Sequence, residues 1–288
     1  MLGFLLALAT AISEATKDIT SKYNLTYIDE YTAAFTLHLF QSILLLPVVF
    51  YFLPTHISIE FIFALAGSSI LQLIVILLYF KTIKRSELSL TLPLLTLTPL
   101  FMLITSPIII GEFPNALGIA GIVLIVAGTY TSNIQAKQKN IFAPFVFLLK
   151  NQGSRYMLII AFIWSITSNI DLIGVEETSP VFWAFSKDFL ILFYLIPILA
   201  TKSKNPLSQI YKRKKGLALV GFFKTTSVLA QMFAIQYILV AYVISIKRAS
   251  AVLIILYAFF YLKERANFKN RVIGITIVLT GLFLIAIS

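Results

Sequence analysis

The sequence contains no cysteine and few charged side chains. Without cysteine among its 288 residues, disulfide bonds, iron–sulfur clusters and thiolate chemistry are excluded. Charged residues make up 12% of the chain, against about 25% in soluble globular proteins. Hydrophobic residues make up 59%. A chain of this composition is not a soluble globular protein.

Motifs for catalysis are also absent from the sequence. It has two histidines and no HExxH, Gly-x-Ser-x-Gly or P-loop motif. It also lacks paired carboxylates at a spacing that suits acid–base chemistry. We therefore expect no enzyme activity, no metal and no cofactor, and we look instead for recognition of a solute and for gating.

The positive charge is distributed in a way that is typical of membrane proteins. The net charge is +11, but the basic residues lie in short connections between apolar runs, which indicates a lipid bilayer as partner and no nucleic acid. The runs are about 20 residues long, enough for a helix to span a bilayer. Only helices satisfy their own backbone in lipid when no alternating barrel pattern exists. We predict ten spans, at about 2–20, 31–53, 61–80, 88–110, 115–133, 156–174, 181–200, 216–237, 241–262 and 271–288.

The second half of the sequence repeats the first. Three pairs of residues recur at an offset of 152 or 153: Glu112 and Glu264, Gly121 and Gly274, Gly128 and Gly281. This offset predicts two tandem copies of one unit, at 1–135 and 156–288, joined by a linker at 136–155. Because each copy holds an odd number of spans, five, the second copy is inverted relative to the first. The predicted fold is an all-α polytopic membrane protein, with ten transmembrane helices in two inverted five-helix repeats.

The basic residues also predict the orientation of the chain. On ten spans, 19 of the 23 basic residues fall on one face of the membrane. By the positive-inside rule this face is cytoplasmic, so both termini are expected outside, with the chain in the cell membrane. The other four basic residues lie inside predicted spans: Lys187, Lys224, Lys247 and Arg248. The linker holds an apolar run at 141–149 that is too short to span and is expected to lie in the interface.

The repeated corners of the chain resemble those of a known family. Gly111-Glu112 in the first copy and Lys263-Glu264 in the second each precede a helix, which in the first copy has glycines in the pattern G-x-x-G-x6-G. Over the whole chain this resembles the EamA-type family of the drug/metabolite transporter superfamily, although Arg271 replaces the first glycine in the second copy. The resemblance implies a helical exporter or exchanger of small metabolites, with spans one to four and six to nine around a central cavity. Many relatives keep both termini in the cytoplasm, and the charges of this sequence depart from that.

Charged side chains inside membrane spans are costly, so each is a functional hypothesis. Glu14 in span one is followed at a helical spacing by Lys17, so an ion pair between them is feasible. The alternative is that Lys17 and Asp18 end the span in the headgroup region. Glu14 lies deeper and is expected to face a cavity.

His38 in span two and Asp188 in span seven occupy equivalent places in the two copies, 150 residues apart. A histidine and an acid at these places predict a proton-sensitive pair. The alternative is that His38 bonds to a neighbouring backbone or hydroxyl group, while Lys187 extends outward to the membrane surface. Lys224 lies deep in span eight, so it either extends back to the surface or contacts a cavity or an acid, Asp188 or Asp171.

Lys247 and Arg248 are expected five or six residues into span nine. Adjacent helical positions point about 100° apart, so at most one of them is expected to face the cavity centrally. Alternatively, span nine begins late and the pair marks its edge. Asp171, near the outer end of span six, can neutralise either cation. The four cations in spans six to nine, against two acids, favour an anionic or zwitterionic solute.

Neutral residues complete the predicted solute path. Gln72 and Gln231 donate and accept hydrogen bonds without the cost of a charge. Three prolines in span four permit a kink, which acts either as a mobile gate or as static curvature: Pro93, Pro99 and Pro107. Glu112 and Glu264 are expected to brace helix corners, where a carboxylate meets the positive end of the following helix.

These features together predict a secondary transporter, an exporter or exchanger. We expect it to bind a small-molecule solute at a midplane cavity between the repeats and to work by alternating access. Two alternatives stay open, a flippase for a lipid-linked intermediate and a non-transporting membrane subunit. The interfacial linker favours the flippase, and the deep charges argue against the subunit.

Overall fold

The computed structural model of the chain describes residues 1–24, 27–85, 92–133, 152–261, 263 and 268–288. Within these ranges every regular element is a helix, as the all-α prediction requires. Glu264 and the apolar run at 141–149 lie outside the described residues.

The first half of the chain forms α-helices that are separated by short connections. Two short 3-10 helices accompany them, one directly after α2 at Phe50–Phe52 and one directly before α4 at Leu92–Leu97. The α-helices are α1 Leu2–Asn24, α2 Glu30–Val49, α3 Ile59–Arg85, α4 Thr98–Ile109 and α5 Ala116–Asn133.

The second half of the chain follows a similar order. Its α-helices are α6 Gln152–Glu177, α7 Pro180–Lys202, α8 Pro206–Ala234, α9 Val240–Arg248, α10 Ser250–Phe260 and α11 Phe268–Ala286. A single residue, Ala249, separates α9 from α10, and together they form one apolar stretch.

Many of these helices are suited to cross a membrane. Among the described residues, seven helical stretches are long and apolar enough to do so: α2, α3, α6, α7, α8, α11 and the joined α9 and α10. The helices α4 and α5 are apolar but shorter. Large apolar side chains such as Phe63, Phe193 and Phe283 are 72%, 64% and 62% exposed, which is expected of surfaces that face lipid. The chain is a multi-pass helical membrane protein.

Helix α8 begins ten residues before the start predicted for span eight. Hydropathy places that start at 216, because four basic residues at 212–215 interrupt the apolar run. The helix begins instead at Pro206, directly after Asn205, whose φ of 54° is left-handed. Proline is preorganised for the first turn of a helix. The four basic residues therefore lie on the first turns of a 29-residue helix, and not in a loop.

The three prolines of span four do not kink one continuous α-helix, as the sequence had suggested. Pro93 lies in the 3-10 helix, and the α-helix begins at Thr98. Pro99 therefore lies in the first helical turn, where no backbone donor is required. Pro99 has no N–H to donate to the Leu95 carbonyl, and Thr98 Oγ1 donates to that oxygen instead, at 2.7 Å. Of the three, only Pro107 lies inside the helix.

The described chain packs as two compact units, each of which takes helices from both halves of the sequence. The first, here called the α1–α8 unit, consists of Leu2–Ile74 and Ile170–Tyr237. Within it, α1 packs on α8, and α2 packs on both α7 and α8. The boundaries between the two compact units fall within α3 and α6. The compact units therefore do not coincide with the two sequence repeats.

The second, the α5–α11 unit, consists of Val75–Asn169 and Ile238–Ser288, with Met1. Within it, α5 packs along α11, and α9 packs on α4 and α5. A Cβ atom placed on Gly128 would lie 2.6 Å from the carbonyl oxygen of Gly274. This distance means that the backbones of α5 and α11 touch, as small residues allow in membrane proteins.

Candidate functional site

Three buried titratable side chains meet inside the α1–α8 unit. His38 comes from α2, Asp188 from α7 and Lys224 from α8. Lys224 Nζ donates to Asp188 Oδ2 at 2.9 Å, and His38 Nδ1 lies 3.0 Å from Asp188 Oδ1. Lys224 Nζ also lies 2.9 Å from His38 Nδ1. We call this cluster the triad.

The tautomer of His38 decides which of two hydrogen bonds its Nδ1 makes. A protonated Nδ1 donates to Asp188, and an unprotonated Nδ1 accepts from Lys224. The side chains of His38 and Asp188 are 8% exposed, and that of Lys224 is 15% exposed. Charges this deeply buried are tolerated when they are paired and hydrogen-bonded. The structure thus joins Lys224 to one of its two predicted acids, and joins that acid to His38.

A buried glutamine follows His38 by one helical turn on α2. Gln41 is 0% exposed, and neither atom of its amide has a hydrogen-bond partner among the described residues. The neighbouring Ser42 Oγ is also buried without a partner there. Leaving such groups unpaired costs about 1–3 kcal/mol each. His38 and Gln41 are three residues apart and therefore lie on one side of α2. This spacing is visible in the sequence, but Gln41 is not among the predicted site residues.

A second buried ion pair lies in the same unit, and we call it the Asp171 pair. Lys187 Nζ lies 2.5 Å from Asp171 Oδ1. The indole Nε1 of Trp183 donates to the same oxygen at 3.0 Å, and Ser68 Oγ approaches it at 3.4 Å. Trp183 is 0% exposed, with Phe61 edge-on against its ring. Lys187 therefore points inward to an acid and does not extend to the membrane surface.

Glu14, near the middle of α1, takes part in a smaller group. The predicted ion pair with Lys17 is present, with Nζ and Oε1 2.7 Å apart. Lys17 also lies 3.1 Å from Asp18. Ser227 Oγ donates to Glu14 Oε2 at 2.8 Å, which ties α1 to α8.

Lys247 and Arg248 lie in the last turn of α9, within the α5–α11 unit. Because α9 begins at Val240, the pair does not mark a late start of the span. Cations in a last helical turn are favoured by the negative end of the helix dipole. The Arg248 guanidinium stands 4.8 Å from the ring centre of Trp164, and its Nη2 approaches Thr98 Oγ1 at 3.4 Å.

A neutral hydrogen-bond network joins α4 to α6 in the α5–α11 unit. Asn169 is fully buried and donates to Thr105 Oγ1 at 3.1 Å and to the Ser165 carbonyl at 2.9 Å. Ser106 Oγ donates to Asn169 Oδ1 at 2.8 Å. Asn169 is not among the residues predicted from the sequence, because an uncharged amide stands out less than a charge in an apolar span.

The remaining candidates are three described residues and Glu264. Gln231 is buried on α8, and Gln72 is half-buried on α3. Glu112 Oε2 accepts from the backbone N–H of Val240 at 2.9 Å. This carboxylate therefore meets the first residue of α9. Glu264 is not described.

Comparisons with known proteins identify the family. A protein of Archaeoglobus fulgidus described as an uncharacterized transporter is 24% identical over 291 residues, covering 99% of this chain and 98% of that protein. A protein of known crystal structure, 14% identical, shares the fold with a TM-score of 0.72 over 99% of this chain and 97% of that one. The EamA-like transporter family matches residues 1–134 and again residues 151–287. The resemblance seen in the sequence is thereby confirmed, and the chain belongs to the EamA-like transporter family as a membrane transporter with two EamA repeats.

Proposed function

We propose that this protein is a secondary transporter of a small anionic or zwitterionic metabolite, and that the triad is its solute-binding site. The observation that supports this most is the burial of His38, Asp188 and Lys224 together inside membrane-spanning helices. Ionisable groups in such positions typically line solute or ion paths. The triad also combines α2 of the first repeat with α7 and α8 of the second.

A zwitterion offers each charge of the triad a new partner. Its carboxylate accepts from Lys224, and its ammonium group donates to Asp188. A solute bound in this way replaces the contact between Asp188 and Lys224, so both charges stay paired with and without solute. His38 supplies a donor or an acceptor, as its tautomer requires. Neither charge is therefore left buried without a partner when the solute binds or leaves.

The other polar residues are assigned supporting roles. Gln41, Gln72 and Gln231 are proposed to line the solute path, since amides bind polar groups without adding charge. Asp171 and Lys187 are proposed to hold α6 against α7 beside that path. Glu14 is proposed to hold α1 against α8.

Gating is assigned to irregular helix segments of the α5–α11 unit. Pro93 and Pro99 lie where a 3-10 helix becomes α4, Pro107 lies inside the last turns of α4, and Ala249 separates α9 from α10. Such places are where membrane helices bend. Lys247 and Arg248 lie beside the break at Ala249, while Glu112 and Glu264 are proposed as corner braces.

We further propose ten membrane spans in two inverted repeats, at 1–135 and 156–288. Five helical spans can be drawn in each repeat if α1 and the shorter apolar helices α4 and α5 also cross. An odd number per repeat inverts the second copy. The positive-inside rule then places the basic connections in the cytoplasm and both termini outside the cell membrane.

Cysteine labelling tests this orientation, because the chain has no cysteine of its own. With Ser288→Cys, a membrane-impermeant maleimide is expected to label intact cells. With Ser208→Cys, at the exposed start of α8, labelling is expected only after the membrane is opened. The reverse pattern would place the termini in the cytoplasm and contradict the proposed orientation.

The binding proposal is tested by thermal-shift measurements on the purified protein against amino acids, sugars, nucleosides and organic anions. A solute at a hundredfold excess over its Kd stabilises the folded state by about 2.7 kcal/mol. We expect carboxylate-bearing solutes to raise Tm in the wild type and not in Asp188→Asn/Lys224→Gln. Thr226→Val, an exposed change on the same helix, serves as control. Stabilisation confined to neutral sugars, or retained in the double variant, would contradict the proposal.

A further inference from the structure

The α1–α8 unit holds a cavity that the proposed transport site does not use. Its volume is about 400 Å³, within the range of roughly 300–1,000 Å³ found for small-ligand sites. Arg213 at its wall precedes Lys224 of the triad by eleven residues, or ~16 Å along α8. The lining residues are Tyr27, Asn205, Ser208, Gln209, Lys212 and Arg213.

The wall that α8 contributes is basic. Lys212 and Arg213 follow Ser208 and Gln209 by four residues, so the helix presents two adjacent polar rows to the cavity. The segment 202–215 contains six Lys and Arg residues and no Asp or Glu. Among the described residues, no carboxylate forms an ion pair with Lys212 or Arg213. Both cations can therefore bind an anion from outside the chain.

The carboxylate of Asp29 reaches this wall through Gln209 and is occupied by neutral donors. Gln209 Nε2 donates to Asp29 Oδ2 at 2.7 Å, and Ser203 Oγ donates to the same oxygen at 2.6 Å. The N–H of Thr32 donates to Oδ1 at 2.8 Å. Burial alone would raise the pKa of Asp29, but these hydrogen bonds outweigh it and hold the pKa below its usual range. Asp29 thus fixes Gln209 in the wall, and among the described residues it forms no ion pair with either cation.

The arginine of this wall is held in place by an aromatic ring. The Arg213 guanidinium stands 3.8 Å from the ring centre of Tyr27, a cation–π contact that limits its motion. The fork of a guanidinium matches two oxygens of one phosphate group. The adjacent ammonium of Lys212 adds a second, adaptable positive charge.

The surroundings of the cavity place it at the membrane surface. On the next row of α8, Leu207 and Tyr211 are 80% and 72% exposed. The apolar part of α8 begins directly after the four basic residues at 212–215. Basic residues and exposed aromatic or aliphatic side chains at the end of a membrane helix are typical of contact with headgroups and upper acyl chains.

We propose that this cavity binds the phosphate group of an anionic phospholipid headgroup, with Arg213 and Lys212 as its ligands. The apolar residues beside it favour a lipid over free phosphate, because they offer the acyl chains a surface. This site is independent of the solute site, so failure of either proposal leaves the other standing.

The test uses the full-length protein in neutral detergent micelles that contain phosphatidylcholine, to which phosphatidylglycerol is added. Binding is measured by native mass spectrometry. We expect about fivefold weaker binding for each charge removed, so roughly 25-fold for Lys212→Gln/Arg213→Gln. The matched control Lys202→Gln/Lys204→Gln also removes two positive charges, but from outside the cavity, and should weaken binding about twofold or less. Equal losses of lipid binding in both variants would mean that binding depends only on the general surface charge, and would overturn the proposed site.

Two further measurements test the role of the guanidinium fork and the choice of a lipid over free phosphate. Arg213→Lys keeps the charge and removes the fork, and a loss of several-fold is expected if the fork binds phosphate oxygens. Inorganic phosphate at the same concentrations is expected not to compete with phosphatidylglycerol. Full competition by inorganic phosphate would overturn the lipid assignment, and unchanged binding in Arg213→Lys would overturn the role of the fork.

Discussion

The two buried ion pairs of the α1–α8 unit differ in construction, although both join an aspartate to a lysine inside membrane helices. In the Asp171 pair, three donors converge on Oδ1: Lys187 Nζ at 2.5 Å, Trp183 Nε1 at 3.0 Å and Ser68 Oγ at 3.4 Å. In the triad, Asp188 divides its oxygens between Lys224 and His38, and these two side chains also reach each other.

This difference indicates that the Asp171 pair holds two helices together, whereas the side chains of the triad can exchange hydrogen-bond partners. Trp183 is packed on all sides, so its indole N–H holds Asp171 in one arrangement. The ring nitrogen of His38 can instead donate to Asp188 or accept from Lys224. Moreover, Gln41 follows His38 by three residues on α2, and its amide has no hydrogen-bond partner among the described residues. We therefore expect the Asp171 pair to stabilise the fold and the triad to bind the solute.

The largest effect is expected from Asp188→Asn alone. This change leaves the Lys224 ammonium buried without its carboxylate, and breaking a buried pair in this way costs about 3–5 kcal/mol. Adding Lys224→Gln removes the orphaned charge and should restore most of the lost stability. Thermal unfolding of the three proteins in detergent checks this. Equal stability of the wild type and the single variant would mean that Lys224 reaches water.

A smaller loss is expected from Trp183→Phe, which keeps an aromatic ring and removes the indole N–H. Asp171 then loses one buried hydrogen bond, at a cost of about 1–3 kcal/mol. Solute binding should stay within about twofold of the wild type, since the triad is untouched. Ser68→Ala removes the longer contact and serves as the milder control. A loss of solute binding without a loss of stability in Trp183→Phe would reverse the roles assigned to the two pairs.

Removal of the unpaired amide by Gln41→Leu is expected to leave Tm unchanged or raised. A buried amide without partners is replaced by an apolar side chain of similar volume, which relieves the cost of its desolvation. Solute affinity should fall about tenfold, which corresponds to about 1.4 kcal/mol. Isothermal titration and thermal unfolding measure the two effects. A clear loss of stability would show that the amide is bonded within the protein.

The smallest effect concerns Asp29, which caps α2 outside the membrane. Its pKa is lowered in the folded state, so its contribution to stability is present above the unfolded pKa of about 4 and is lost as the pH falls through the folded value. Asp29→Ala should cost about 1 kcal/mol near neutral pH, as expected for a lost helix cap. The difference in Tm from the wild type should shrink below pH 4. A difference that does not change with pH would argue against an ionised cap.

Hydropathy and repeats predicted much of this molecule from its sequence. The all-helical membrane fold and the EamA family are confirmed. The depth of Lys224 in its span made Asp188 and Asp171 its candidate partners, beside a cavity or the membrane surface, and the structure shows the contact with Asp188. His38 was matched to Asp188 by the repeat offset alone.

Contacts that depend on packing between helices were harder to predict. The Asp171 pair spans 16 residues across the corner between α6 and α7, so no helical spacing indicates it. Glu112 meets the start of α9, which is far away in the sequence. The early start of α8 lies in a polar segment, where hydropathy has no signal and only Asn205 and Pro206 mark the helix.

The most direct test compares two double variants that remove the same charges from the two ion pairs. Solute exchange is measured in vesicles that contain equal amounts of the wild type, Asp188→Asn/Lys224→Gln or Asp171→Asn/Lys187→Gln. We expect the first variant to lose exchange altogether, and the second to retain it within a few-fold while unfolding at a lower temperature. Normal exchange by the first variant, or loss of exchange by the second alone, would contradict the assignment of the triad as the solute site.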